Sequence, residues 1–165
     1  MDTTISLVVT VAIVGLVLVK QFRGRFVGGR DLVLPCVVMG IGVLTVAQAH
    51  PAVTTAGVAL LAAELVLVAG LGAVRGYAFR LGTRDGWAYR SGSAALLAAW
   101  ALTIAVRLGA GFLGAAAGAG LLLSTTSALV FGGSLLVQSL VLRHRVAAAG
   151  LPLHPGRGRR ARAAV

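Results

Sequence analysis

The sequence predicts an all-α integral membrane protein, a bundle of five transmembrane helices with a short cytoplasmic loop hairpin. Three observations carry that prediction. Of 165 residues 58% are hydrophobic and only 12% charged, with mean hydropathy +0.96, against roughly 25% charged in a soluble domain. Such a chain is too apolar to be disordered. Five apolar runs approach the roughly 20 residues that a helix needs to cross a bilayer. The cations stand in the intervals between those runs, as membrane topology demands.

The first run extends from about Thr3 to Val19 and the second from Leu32 to Ala49. Pro35 falls in the first turn of the second, where a missing N–H costs nothing. Pro51 precedes the third, about Ala52 to Val74, and the fourth extends from Ala94 to about Phe112. The fifth runs from about Ala117 to Leu142. Residues 1–150 thus form a multi-pass membrane domain. Residues 151–165, with Pro152, Pro155 and a Gly/Arg run, read as a disordered basic cytoplasmic tail whose deletion leaves insertion intact.

Formal net charge is +11, from 14 arginines and Lys20 against four carboxylates. In a soluble protein that balance points to nucleic acid, but here there is no basic reading face with interleaved aromatics. If the N-terminus is outside, 14 of the 15 cations fall on the inner side, Arg107 being the exception. The expected topology is therefore N-out and C-in. The Arg, Ala, Gly, Leu and Val richness looks like that of a GC-rich bacterial genome, so the expected location is a bacterial cytoplasmic membrane. Met1 to Val19 reads as a reverse signal-anchor, because its positive charge follows the apolar run. Lys20 to Ala49 imitates a cleavable signal ending in Ala47-Gln48-Ala49, but a hydrophobic helix precedes it.

Between the third and fourth runs, Asp85-Gly86 is a type I′ hairpin signal. Phe79, Leu81, Trp87 and Tyr89 flank it, interleaved with arginines. Two short strands there would bury Phe79 and Trp87 in the membrane interface while Arg80, Arg84 and Arg90 meet anionic lipid phosphates. The plainer alternative is an irregular loop with interface anchors. Gly72 with Gly76, Gly114 with Gly118, and Ala128 with Gly132 read as close-packing positions of a bundle. Ser124, Thr125, Thr126, Ser127 and Gln138 make the fifth run the most polar. They either line a cavity or bond backbone carbonyls.

Glu64 and Arg107 lie deep within apolar runs, where an unpaired charge is costly and a functional role is the default hypothesis. At about 1.5 Å per residue they fall within roughly 8 Å of each other along the normal of a roughly 30 Å core. Their side chains lean toward each other, since each tilts toward its own helix N-terminus. An ion pair is reachable, serving either to fix helix register or to handle a proton or cation. Arg107 has two alternatives, to snorkel outward or to stack or bond within the bundle, Trp100, Thr103 and Ile104 sharing its helical face.

Other chemistries find no residues. His50, His144 and His154 have no ligand spacing, so neither a metal set nor a haem pair forms. Cys36 is alone, which excludes paired-thiol transfer. Gly28-Gly29 lacks a phosphate-loop pattern, and no nucleophile, base and orienter assemble. No catalytic residue, cofactor or metal is expected, and no enzyme.

The run Arg75-Gly76, Arg80, Arg84-Asp85-Gly86, Arg90, Trp100 and Arg107, with Phe22-Arg23-Gly24-Arg25 after the first helix, resembles the CcdC-like bacterial membrane proteins. The likeness covers roughly Thr4 to Leu142. It implies a multi-pass protein genetically associated with cytochrome c maturation and brings no site residues, while the single cysteine argues against a direct thiol role. Two functions are expected: a structural or assembly factor holding a membrane-protein partner or a second copy, or a small proton-coupled carrier using Glu64 with Arg107. Five spans do not divide into equal halves, which disfavours the carrier.

Overall fold

The computed structural model describes residues 24–154, so the first expected span and the chain beyond His154 lie outside the described residues. The described residues are mostly helical, and three of their helices are long and apolar enough to cross a membrane. Strand β1 (Arg25–Phe26) and a 3-10 turn (Gly29–Leu32) lead into α1 (Val33–Ala49). Next come α2 (Thr55–Ala78), β2 (Arg80–Arg84), β3 (Trp87–Ser91), α3 (Ala94–Ala116), α4 (Gly120–Thr125) and α5 (Ser127–Ala148). The long apolar helices are α2, α3 and α5. Helix α1 has 17 residues, a rise of roughly 25 Å.

Local signals set the helix ends. Thr54 accepts the Gly57 amide at 3.1 Å, so α2 starts three residues after the expected Ala52. Ser93 caps α3 through the Leu96 amide at 3.2 Å and donates to the Ala78 carbonyl at 2.6 Å. One hydroxyl thereby ties the start of α3 to the end of α2. The Arg145 guanidinium donates to the carbonyls of Gly76, Tyr77 and Phe79 at 2.8 to 3.0 Å, satisfying acceptors that the end of α2 leaves open.

The fifth run departs from expectation. It is two helices broken at Thr126, because the neighbouring hydroxyls turn back on the chain. Thr125 donates to the Leu121 carbonyl at 2.9 Å, Thr126 to Leu122 at 2.8 Å and Ser127 to Leu123 at 3.3 Å. Side chains competing for backbone acceptors over consecutive positions bend a helix. The second piece then runs past Leu142 to Ala148.

In the bundle α5 packs between α1 and α2, and α3 packs on α2. Small residues set the spacing: a Cβ at Gly72 would stand 2.6 Å from the Ser134 carbonyl oxygen, and one at Gly132 would stand 2.8 Å from the Met39 nitrogen. Backbones therefore touch where α5 meets α2 and α1.

A three-stranded antiparallel sheet, in the order β1-β3-β2, covers one end of the bundle. Helices dominate and β2 and β3 form a hairpin, as expected; the added strand β1 makes it a sheet, which an all-α class does not include. Asp85 (φ 52°) and Gly86 (φ 77°) form the tight turn between β2 and β3, matching the I′ geometry that requires two positive φ values. Gly86→Val is expected to cost about 1–2 kcal/mol. It should appear as faster amide hydrogen exchange in β2 and β3 with α2 and α5 unaffected.

The strand β1 lies in a segment read as a basic loop. It pairs Arg25 with Arg90 and Phe26 with Tyr89. The tail boundary also shifts, because Leu151 to His154 are laid on this sheet. Pro152 accepts the Ala88 amide and Val27 accepts the His154 amide, both at 2.9 Å. His154 stacks on Phe26 at 4.9 Å and meets the edge of Trp87 at 5.7 Å. Beneath the sheet Val27, Phe79, Ala88, Leu96, Trp100, Leu135, Leu142 and Val146 form one apolar core.

Candidate functional site

Glu64 on α2 and Arg107 on α3 meet inside the bundle. Arg107 Nη1 donates to Glu64 Oε1 at 2.5 Å. Its Nη2 donates to the Leu123 carbonyl at 2.5 Å and to Ser127 Oγ. One guanidinium thus joins α2, α3, α4 and the first residue of α5. The break at Thr126 makes this possible, because it leaves the Leu123 carbonyl open to a donor from outside the helix. Of the alternatives for Arg107, bonding within the bundle accompanies the ion pair, while the Trp100 ring faces Arg75.

The two partners sit in different surroundings. Glu64 is 2% exposed, and its Oε2 has no hydrogen-bond partner among the described residues. The Arg107 side chain keeps 29% of its exposure, on the wall of a cleft of about 360 Å³ lined also by Val68, Thr103, Ser127 and Phe131. Apart from Arg107, Thr103 and Ser127, the lining is apolar. The arrangement can hold four helices in register; to move a proton, Glu64 would have to part from Arg107.

A second buried cation, Arg75, stands at the end of α2 with no exposure. Its Nη2 donates to Ser134 Oγ, and Ser134 donates onward to the Val68 carbonyl at 2.9 Å. The Arg75 guanidinium lies 4.2 Å from the Trp100 ring centroid, a cation–π contact made in a desolvated place. Its Nε and Nη1 have no partner among the described residues. Trp100, expected to be available to Arg107, is taken by Arg75 instead. Sequence reasoning placed Arg75 in the basic loop and so missed it. The signal was its helical face: Arg75 stands three residues after Gly72 and seven after Val68, both buried.

The hairpin arginines are placed unequally. Arg80 and Arg84 are exposed, Arg84 lying 5.6 Å from the Tyr89 ring. Arg90 is drawn inward, with Nη2 at 3.8 Å from Asp31 Oδ1 and its guanidinium 5.0 Å from the Phe79 ring. Burial lowers the Arg90 pKa, Asp31 opposes that shift and Arg25 adds to it. Phe79, expected in the membrane interface, is 1% exposed and belongs to the core. Trp87 is half-buried against His154. Phe79 packs in the core with Leu96 and Trp100, and Trp87 meets the ring of His154. No group of three or more His, Cys, Asp or Glu residues is placed to hold a metal among the described residues.

No protein-family model, curated protein or solved structure matches this chain.

Proposed function

We propose that the protein is a five-span scaffold or assembly factor of a bacterial cytoplasmic membrane, N-terminus outside and C-terminus inside, and not an enzyme. The observation that supports this most is how Arg107 uses its donors. Glu64, Leu123 and Ser127 receive them, so the intramembrane charge is spent on joining helices. On this reading α1 is the face presented to a partner: Leu34, Val37, Ile41 and Leu44 recur at three- and four-residue spacing and are all more than half exposed. The sheet end, which gathers most of the described cations, faces the anionic lipids of the inner leaflet. The association with cytochrome c maturation that the sequence resemblance implies fits an assembly role and belongs to the same proposal.

Purification in mild detergent tests it. A membrane protein is expected to co-purify in fixed stoichiometry, and Ile41→Trp, which stays compatible with lipid while filling the α1 face, should release it. Recovery of a partner that is indifferent to Ile41→Trp would remove α1 from the proposal. For orientation, a reporter active only in an oxidising exterior is expected to be silent when fused after Arg145.

A carrier is the second reading, favoured by two observations: the buried Glu64 Oε2 has no partner among the described residues, and the cleft lies against the same ion pair. Proton-driven uptake by reconstituted vesicles that Glu64→Gln abolishes would establish it in place of the scaffold.

A further inference from the structure

We propose that a cavity at the sheet end of the bundle binds a phosphate-bearing anion with a neighbouring hydroxyl, the chemistry of a glycerophosphate group. The cavity holds about 160 Å³ and lies where β1 and β3 meet the start of α1 and the middle of α5. It is separate from the Glu64–Arg107 cleft and does not depend on the scaffold reading.

The charge arrangement points to an anion. Arg25 and Arg90 are direct cross-strand partners and both line the cavity, although like charges placed opposite each other destabilise a sheet. Asp31 is the one carboxylate in the lining, and both of its oxygens are engaged: Oδ1 faces Arg90 at 3.8 Å, and Oδ2 accepts the Gly28 amide at 3.0 Å. The lining thus sets two guanidiniums against one carboxylate, which pairs with Arg90. A phosphate suits the remaining positive charge, since its oxygens accept forked N–H donors from arginine.

Gln138 supplies the second observation. It is 3% exposed, lines the same cavity, and its Oε1 has no hydrogen-bond partner among the described residues. A buried unpaired acceptor is costly, and a ligand hydroxyl would satisfy it. Leu34, Pro35 and Leu135 form the apolar part of the lining, against which a glycerol carbon chain can lie. Arg25 is exposed, leaving the cavity open on the cation-rich side of the molecule. The phosphate can come from a lipid headgroup or from a soluble glycerophosphate.

The full-length protein in mild detergent is titrated separately with dioleoyl-phosphatidylglycerol in mixed micelles and with soluble glycerol 3-phosphate. Dioleoyl-phosphatidylcholine, without net charge or headgroup hydroxyl, is the reference, and occupancy is read by native mass spectrometry alongside the melting temperature. Arg25→Gln is expected to weaken binding about tenfold, the loss of one charge-assisted hydrogen bond. Arg84→Gln removes the same charge from an exposed strand end outside the cavity; it reports the general attraction of the sheet end for anionic lipid and should weaken binding of either probe much less than Arg25→Gln. Gln138→Leu should reduce the preference for phosphatidylglycerol over phosphatidic acid, which has no headgroup hydroxyl. Arg25-dependent binding of glycerol 3-phosphate supports the site with a soluble source, and Arg25-dependent binding of the lipid alone supports it with a membrane source. Equal binding by Arg25→Gln and Arg84→Gln overturns the proposal, as does binding of neither probe above the phosphatidylcholine reference.

Discussion

Glu64→Gln and Arg107→Gln are each expected to destabilise the protein in detergent, and the double variant is expected to lose much less than the sum. Removing one member of a buried pair strands the other and costs about 3–5 kcal/mol, whereas removing both leaves no uncompensated charge. The single losses should be unequal. Glu64 is almost fully buried and depends on Arg107, while Arg107 retains Leu123, Ser127 and partial exposure when Glu64 is neutralised. Arg107→Gln should therefore be the more damaging change. A double-mutant cycle on thermal or denaturant unfolding measures the coupling. Strict additivity would mean that the contact contributes no stability. Unaltered stability in Glu64→Gln together with loss of a pH-dependent phenotype would favour the carrier.

Arg75 should separate volume from charge. Arg75→Ala is expected to cost about 2–5 kcal/mol, the range for emptying a large buried side chain, because the cavity forms beside Trp100 and Ser134. Arg75→Met keeps most of the volume and removes two buried N–H donors that have no partner among the described residues. Replacing a buried ion by a packed apolar side chain is often neutral or stabilising, so Arg75→Met should recover most of the loss. Equal losses in the two variants would show instead that the cation and its contacts to Trp100 and Ser134 carry the stability.

What the sequence disclosed follows the range of the interaction. Asp85-Gly86 needs only its own backbone preferences to predict a hairpin, and the helices α2 and α3 follow from apolar length, although the Thr54 cap moves the start of α2 from Ala52 to Thr55. Glu64 and Arg107 were legible because a charge in an apolar run must be compensated, and helix rise gives their depth. Arg75 was not legible as a core residue, since its burial depends on Trp100 and Ser134 from two other helices. The ladder of β1 on β3 was equally hidden. Two residues, Arg25 and Phe26, carry no alternation of their own, and only the placement of β3 makes them a strand. Arg145 illustrates the same gap: a cation counted for topology becomes the cap of α2 because α5 runs six residues past its expected end.

The contact between Val27 and the segment ending at His154 bears on the order of events during synthesis. The Val27 carbonyl waits for the His154 amide, and the Ala88 amide waits for the Pro152 carbonyl. Nearly the whole described chain is made between the first and last of these groups, on the order of ten seconds of elongation at typical rates. Through that interval the helices can enter the bilayer one after another, but the sheet that covers their end cannot close. Final locking is thus a late event governed by Pro152 and His154. A chain halted at 150 should insert and remain open to proteases at Val27 and Ala88, whereas one halted at 154 should already be closed.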